Sequence, residues 1–236
     1  MKTIECKSCS NANCFIKQYC SAEWIEKIEQ KKFQTVYRQN QNIVNENTPV
    51  LGLFFIQTGK VKVFSSGLNG RPQIVRFAND GHILGHRGFA NDVYPISATA
   101  MEDSFICFIE NDPLYEMFME NPKFVIGLME FYSRELRKVE NRLKNVAQMN
   151  MREKIADALL MVIENFGLTK QKELNVLIRR EDIANTAGTT AEQVVRQLTE
   201  FEKEKLIAKR GRKISVLNLS GLKKIISEHN SFVIKE

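Results

Sequence analysis

The stretch that most constrains the fold of this chain is IRREDIANTAGTTAEQVVRQL, which runs from Ile178 to Leu198. Its first part has the apolar spacing of a short helix, and Gly188 supplies the permissive backbone that a tight turn needs. Thr189 and Thr190 then offer hydroxyls that cap a second helix, and the Glu-Gln pair that follows is placed to close a capping box. The order of these signals predicts a helix, a glycine turn and a second helix.

The second helix has one apolar and one polar side. Val194, Leu198 and Phe201 recur at i, i+4 and i+7, which is the spacing of a buried stripe. The opposite side contains polar residues, namely Glu192, Gln193, Arg196 and Thr199. In the major groove an Arg binds guanine O6 and N7, and a Glu accepts from cytosine N4. The alternative is a solvated helix with an i,i+4 ion pair.

A basic hairpin, AKRGRKISV from Ala208 to Val216, follows and completes the pattern of a winged helix-turn-helix. The chain has 34 Lys+Arg against 28 Asp+Glu, a net charge of +6, which suits a partner that offers phosphates. We therefore expect double-stranded DNA as the partner. The predicted DNA contacts are Thr189, Thr190, Glu192, Gln193, Arg196, Lys209, Arg210 and Arg212.

Short apolar runs with regularly placed glycines fill the chain from Phe33 to Ile109, which is typical of strands and turns. Strands this short and closely spaced favour an antiparallel sandwich or barrel over a parallel sheet. The predicted strands are FQTVYR, NIVN, LFFIQTG, KVKVFS, QIVRFA, HILG, ISATAM and SFICFI.

After Pro113 the pattern becomes helical, with an uncharged a/d seam of three heptads. The seam consists of Val125, Met129, Tyr132, Leu136, Val139, Leu143 and Val146. A narrow seam of this kind favours a coiled-coil homodimer over a helix that is docked within one subunit, which stays the alternative. Since the seam contains no charge, we expect dimerisation that does not depend on a ligand.

Four cysteines, Cys6, Cys9, Cys14 and Cys20, lie within fifteen residues near the N-terminus, and Cys107 lies in the last predicted strand. Closely spaced thiols in a cytosolic protein favour metal or Fe–S ligation over disulfides. Two alternatives stay open. The first alternative is that Cys107 is a core residue. The second is that the N-terminal cysteines bind a structural zinc ion or bind no metal.

The order of parts resembles the CRP/FNR superfamily of bacterial transcription regulators over nearly the whole chain. The resemblance rests on LGLFFIQTGKVKVF, GHILGHRGF and REDIANTAGTTAEQVVRQL. It implies an α+β fold with an N-terminal cyclic-nucleotide-binding-type antiparallel β-roll, a long dimerisation helix and a C-terminal winged helix-turn-helix. It further implies a palindromic promoter site read by Glu192 and Arg196, with RNA polymerase as a partner. Ala191 stands where cyclic-AMP-responsive members have a second Arg, which leaves the outer bases of the half-site open.

The same resemblance informs the ligand. Members that bind cyclic nucleotides use a Glu after a glycine turn and an Arg-Ser pair further on. Here His86 replaces the Glu, and Ser97 is preceded by no Arg. A buried cyclic phosphate without a cation is costly, so cyclic AMP is disfavoured. The effector pocket is predicted at His86, Arg87 and Ser97.

Oxygen-sensing members of the superfamily hold a [4Fe–4S] cluster with an N-terminal cysteine group and one cysteine from the roll. Cys6-x2-Cys9-x4-Cys14 is similar to that group, with a second gap one residue shorter, and Cys107 matches the roll cysteine. With Cys20 there are five candidates for four ligand positions, so the set stays open.

We expect four parts: a cysteine-containing segment (1–24), a β-roll sensor (25–120), a dimerisation helix (121–147) and a winged-helix domain (148–236). No apolar run approaches membrane-spanning length and no signal-peptide region is recognisable, so we expect a cytoplasmic protein without a membrane partner. A sequence-specific transcription regulator is favoured over a cyclic-nucleotide-type binding module, which would not explain the winged helix. An enzyme is not expected, because no Ser/His/Asp, P-loop or paired-carboxylate pattern is present.

Overall fold

A computed structural model describes residues 4–67, 70–89 and 91–227. The chain divides into two compact units. The first comprises residues 1–66 and 76–135, and the second comprises residues 67–75 and 136–236. The functional division into four parts stays a prediction.

Two four-stranded antiparallel sheets form the first unit, apart from the start of β5, which belongs to the second. One sheet has the order β1-β8-β3-β6 and the other the order β2-β7-β4-β5. The strands are β1 (Phe33–Tyr37), β2 (Asn42–Val44), β3 (Gly52–Thr58), β4 (Val61–Ser66), β5 (Pro72–Ala78), β6 (Ile83–Leu84), β7 (Ser97–Ala100) and β8 (Ser104–Glu110). Every predicted run forms a strand, which confirms the antiparallel architecture.

Helices cover the β1-β8-β3-β6 sheet and share a core with it. They are α1 (Phe15–Tyr19), α2 (Ala22–Lys31), α3 (Asn111–Glu120) and the first half of α4 (Pro122–Gln148). Phe124 and Leu128 of α4 enter this core beside Trp24 and Ile28 of α2. They lie on the face of α4 next to the seam, so the two faces of the helix have different environments.

The N-terminal cysteine segment is packed against β3 and the turn before β6. Asn11 is buried, and its side-chain amide donates to the carbonyls of Ile56 at 3.1 Å and Gln57 at 2.8 Å. Gly81 has φ 86°, and a Cβ there would lie 2.3 Å from the carbonyl oxygen of Asn13. The tight approach of this segment therefore requires glycine at position 81.

The second unit contains the end of α4, then α5 (Met151–Phe166), α6 (Arg180–Ala187), α7 (Ala191–Lys203), the hairpin β9 (Ile207–Arg210) and β10 (Lys213–Val216), and α8 (Leu219–Ser227). Asn150 caps α5 in a capping box with Glu153, which fixes where the helix begins. The three helices and the hairpin that follow confirm the predicted α+β fold with a C-terminal winged helix-turn-helix. Among the described residues, no helix has the length and apolar character that a membrane span requires.

Candidate DNA-binding surface and cysteine site

The turn between α6 and α7 has the geometry that its sequence predicts. Gly188 ends α6 in the left-handed conformation, with φ 68° and ψ 44°. Thr190 is the N-cap of α7, and its side chain accepts from the backbone N–H of Gln193. The return bond of a capping box is not present, because the side-chain oxygen of Gln193 accepts from Arg196 at 2.9 Å.

The inner side of α7 anchors the helix. Val194, Leu198 and Phe201 are each fully buried. At the far end, Arg152 of α5 makes two hydrogen bonds to Glu204, at 2.7 Å and 2.6 Å, and lies over the Phe201 ring. Because both ends and the inner stripe are held, the outer side chains project from a rigid support.

The outer side of α7 presents an acceptor and a donor one turn apart. Glu192 is exposed, and hydrogen bonds from its own backbone N–H and from Thr190 lower the pKa of its carboxyl. Arg196 is also exposed, and Gln193 holds its guanidinium, whereas no ion pair joins Arg196 to Glu192 in the described part of the chain. An ionised carboxylate and a guanidinium fork thus remain available for base edges.

One residue of this surface is absent from our predicted contacts. Val195 lies beside Glu192, one turn further along the outer side, and 51% of it is exposed. It breaks the polar pattern of that side, which is the signal that could have found it. An apolar side chain in this place is suited to the C5-methyl group of thymine in the major groove.

The predicted DNA contacts of the hairpin differ in whether they already have partners within the domain. Lys209 is bound within the domain, with its Nζ 3.1 Å from Glu202 Oε2 and 3.0 Å from Thr199 Oγ1. Arg210 and Arg212 are exposed on either side of Gly211, whose φ is 60°. Thr189, at the turn before α7, is half-buried. The two arginines are therefore the hairpin groups that can reach a phosphate without first giving up a partner.

Most of the predicted dimer seam is open along α4. Met129, Leu136, Val139 and Leu143 are 67%, 60%, 45% and 72% exposed. Val125, Tyr132 and Val146 are half-buried. The hydroxyl of Tyr132 donates to the carbonyl of His86, so this residue also belongs to the packing of the first unit. Ile126, adjacent to the seam, is 58% exposed and enlarges the apolar surface.

Four of the five cysteines line one cavity. They are Cys6, Cys9, Cys14 and Cys107. Cys107 is brought there by β8, where it lies opposite Phe55 of β3 and Gln34 of β1. The remaining wall surface is mainly apolar, and the lining also includes two lysines, Lys17 and Lys32. Burial raises the pKa of the Cys14 and Cys107 thiols.

The four thiols are donors of the kind that iron–sulfur clusters use. In residues 4–67, 70–89 and 91–227, no three His, Cys, Asp or Glu side chains converge as ligands of one metal ion. A structural zinc needs four such ligands at bonding distance. The thiolates that hold a [4Fe–4S] cluster bind separate irons, so they surround a cavity instead of meeting at a point. Four thiols around an apolar cavity have the chemistry for that group.

Cys20 lies elsewhere, in the core between the helices and the sheet. It is buried, and its Sγ is 3.4 Å from Met117 Sδ. Burial, followed by the charge of Cys14, raises its pKa to about 12. A thiol that resists ionisation to this degree is a poor metal ligand, since the thiolate is the form that binds.

The predicted effector residues do not line the cysteine cavity. His86 is buried, its ring packs against Phe131 and Tyr132, and neither ring nitrogen has a hydrogen-bond partner among the described residues. Burial, then the charges of Arg76 and Arg87, hold the pKa of His86 well below its usual value. Ser97 accepts from the backbone N–H of Glu46 at 2.9 Å.

Two family models match the chain and together cover more than half of it. The model described as Cyclic nucleotide-binding domain matches residues 34–121. The model described as Crp-like helix-turn-helix domain matches residues 153–225. The first spans the strands of the β-roll, and the second spans α5 to α8.

Similar proteins extend over nearly the whole length. The transcriptional activator protein anr of Pseudomonas aeruginosa is 26% identical, over 90% of this chain and 88% of its own length. The fumarate and nitrate reduction regulatory protein of Vibrio cholerae is 24% identical, over 91% of this chain and 87% of its own. The structure of FixK2 from Bradyrhizobium japonicum has a TM-score of 0.72 at 22% identity, covering 82% of this chain and 96% of that one. The chain therefore belongs to the CRP/FNR family and is a DNA-binding transcription regulator rather than an enzyme.

Proposed function

We propose that this regulator binds a palindromic promoter as a homodimer and senses oxygen or redox state through a [4Fe–4S] cluster held by Cys6, Cys9, Cys14 and Cys107. The observation that supports the sensor most strongly is the shared cavity, which joins three cysteines of the N-terminal segment to one from β8. By the same proposal the protein acts in the cytoplasm, where the promoter and RNA polymerase are.

In the proposed complex, α7 enters the major groove. Arg196 binds guanine O6 and N7, and the ionised Glu192 accepts from cytosine N4. Val195 lies beside Glu192 and contacts a thymine methyl, so we expect a thymine next to the G·C contacts. Arg210 and Arg212 bind phosphate oxygens from the wing. Thr189 and Thr190 lie at the N-terminus of α7, where the backbone N–H groups favour phosphate.

The dimer forms along α4. The exposed seam residues would leave a long apolar stripe in water in a monomer, and such a stripe is typical of an interaction surface. Pairing with a second copy in parallel buries the stripe and places two α7 helices for two half-sites about one DNA turn apart.

The cysteine site supplies the signal. When bound there, the cluster would supply chemistry that reacts with oxygen and changes the charge and fit of its ligands. The Cys-bearing segment is attached to β3 through Asn11, and Cys107 is part of β8, so a change at the site acts directly on the roll. The names of two relatives, an activator and a fumarate and nitrate reduction regulator, agree with respiratory control.

The decisive experiment is purification without oxygen, with iron and sulfide content, visible absorbance and promoter binding measured before and after exposure to air. We expect a brown protein with broad absorbance near 400 nm that bleaches in air, with a parallel change in DNA affinity. Colourless, iron-free protein that binds the same promoter with the same affinity would contradict the sensor and leave a regulator that is constitutive or responds to another ligand.

A further inference from the structure

Lys32 follows α2 and turns its side chain into the cysteine site. The residue is 9% exposed, and its backbone N–H ends the helix by donating to the carbonyl of Ile28 at 2.8 Å. Its Nζ donates to the carbonyl of Ile4 at 2.8 Å and to the Sγ of Cys6 at 3.1 Å. The ammonium is therefore aimed at the thiols and not at solvent.

The neighbouring lysines are placed differently. Lys31 is exposed and lies 2.9 Å from Glu116. Lys17 donates to the backbone carbonyl of Cys9 at 3.0 Å. Within the described residues, Lys32 has no carboxylate at ion-pair distance, so its charge is buried with only a carbonyl and a thiol as partners. Burying an ammonium without a counter-charge is costly, and the cost calls for an anion in the cavity.

The charge of Lys32 extends beyond Cys6. Cys107 lines the same cavity as Lys32 and Cys6, and the side-chain amide of Gln34 donates to its Sγ at 3.5 Å. Thiols from both halves of the site, the N-terminal segment and β8, thus lie in the field of one cation.

We propose that Lys32 is a charge-compensating and positioning residue of the cysteine site. Its ammonium offsets the negative charge of a thiolate-ligated cluster and holds in place the N-terminal segment that contains Cys6. The inference rests on the proposed [4Fe–4S] function. Four thiolates outweigh the positive charge of a [4Fe–4S]²⁺ core, so the assembly is an anion, and one electron from a chemical reductant makes it more negative. A nearby cation stabilises the reduced form more than the oxidised form and raises the midpoint potential.

The test compares the anaerobically reconstituted protein with Lys32→Met, Lys32→Arg and Lys31→Met. Methionine keeps the length and apolar stem of Lys32 and removes the charge. We expect a more negative midpoint potential in Lys32→Met, recovery toward the wild-type value in Lys32→Arg, and no change in Lys31→Met. Potentials are measured by anaerobic titration with redox mediators, and thermal unfolding confirms that each variant is folded.

A second readout uses the protein without iron. Hydrogen exchange at the backbone amides of residues 4–9 should become several-fold faster in Lys32→Met, since the bond to the carbonyl of Ile4 is lost, and should be restored in Lys32→Arg. Equal potentials and equal exchange in wild type and Lys32→Met would overturn the inference, as would an equal shift in both Lys32 variants. Wild-type protein that takes up no iron and sulfide would instead overturn the proposed sensor itself.

Discussion

The outer face of α7 and the cysteine cavity are built in opposite ways. On α7, one helix presents Glu192, Val195 and Arg196 to solvent while its inner stripe is fully buried. In the cavity, the thiols come from residues 6–14 and from β8, and Cys14 and Cys107 pack against the core of the first unit. A side chain on α7 can change without disturbing the core, whereas a cavity residue belongs to the site and to the core at once.

The ionisable groups of the two regions also differ in whether they are charged before a ligand binds. The carboxyl of Glu192 stays hydrated and has a lowered pKa, so its charge is ready before DNA arrives. Burial raises the pKa of Cys14 and Cys107, so their thiolates form at little cost only when a cation is bound. The charges of the DNA-binding surface are thus present before DNA binds. The thiols of the cavity, by contrast, become charged only when their metal ligand binds.

The largest expected effect tests the boundary of the cavity. Cys107→Ser should abolish the retention of iron and sulfide after anaerobic reconstitution, because a thiolate ligand is lost. Cys20→Ser is the matched control, since Cys20 is buried away from the cavity and faces Met117. It should keep the wild-type iron content while lowering thermal stability. Equal iron loss in both variants would show that the site is not the one lined by Cys107.

A second expected effect concerns the seam of α4, which is exposed like the outer side of α7 but consists of apolar residues. Leu143→Glu should raise the dissociation constant of the dimer on the order of 100-fold, or about 2.8 kcal/mol, because each subunit buries a carboxylate in the seam. Lys144→Glu, at the neighbouring exposed position outside the seam, should leave it within about threefold. Sedimentation velocity across a concentration series measures both. A wild-type monomer, or a dimer that appears only with a ligand, contradicts the predicted seam.

Arg196→Ala tests the preformed character of the α7 surface. We expect a loss of about 1–3 kcal/mol on the promoter half-site and relaxed discrimination at one G·C pair, with unchanged thermal stability. Lys203→Ala is the control, because Lys203 is an exposed residue of the same helix that pairs with Glu200. Binding is measured by fluorescence anisotropy on a set of single-base variants. An equal loss on every sequence would mean that Arg196 contacts only phosphate.

The two regions also differ in what their sequence could reveal. Gly188, the N-cap Thr190 and the stripe of Val194, Leu198 and Phe201 are local signals, so the helix-turn-helix could be predicted from one short stretch. The eight strands were predicted for the same reason, since alternation and glycine turns are local too. There are two exceptions on α7. The apolar side chain of Val195 does not follow the polar pattern around it, and the predicted capping box lacks its return bond because Gln193 accepts from Arg196 instead.

The cavity could not be assembled from local signals. Spacing alone left five cysteines for four positions, and only the packing of the N-terminal segment on β3 separates Cys20 from the other four. No signal in the sequence pointed to Lys32, because Lys31 and Lys32 are adjacent and of the same type. Only the fold distinguishes them, since it buries Lys32 against Cys6. Likewise, the contacts of Lys209 with Glu202 and Thr199 of α7 depend on the turn between α7 and β9.

The smallest expected effect asks whether Val195 takes part in base reading. Replacing the contacted thymine of the half-site by deoxyuridine removes one methyl group and keeps every hydrogen bond. We expect wild-type protein to lose about 0.8 kcal/mol, or about fourfold in affinity, at that one position. Val195→Ala should bind the thymine site more weakly and show no further loss on deoxyuridine, which is the signature of direct coupling in a double-mutant cycle. If each thymine of the half-site can be replaced without a change in wild-type affinity, Val195 is a solvent-exposed residue and α7 reads DNA through its charged groups alone.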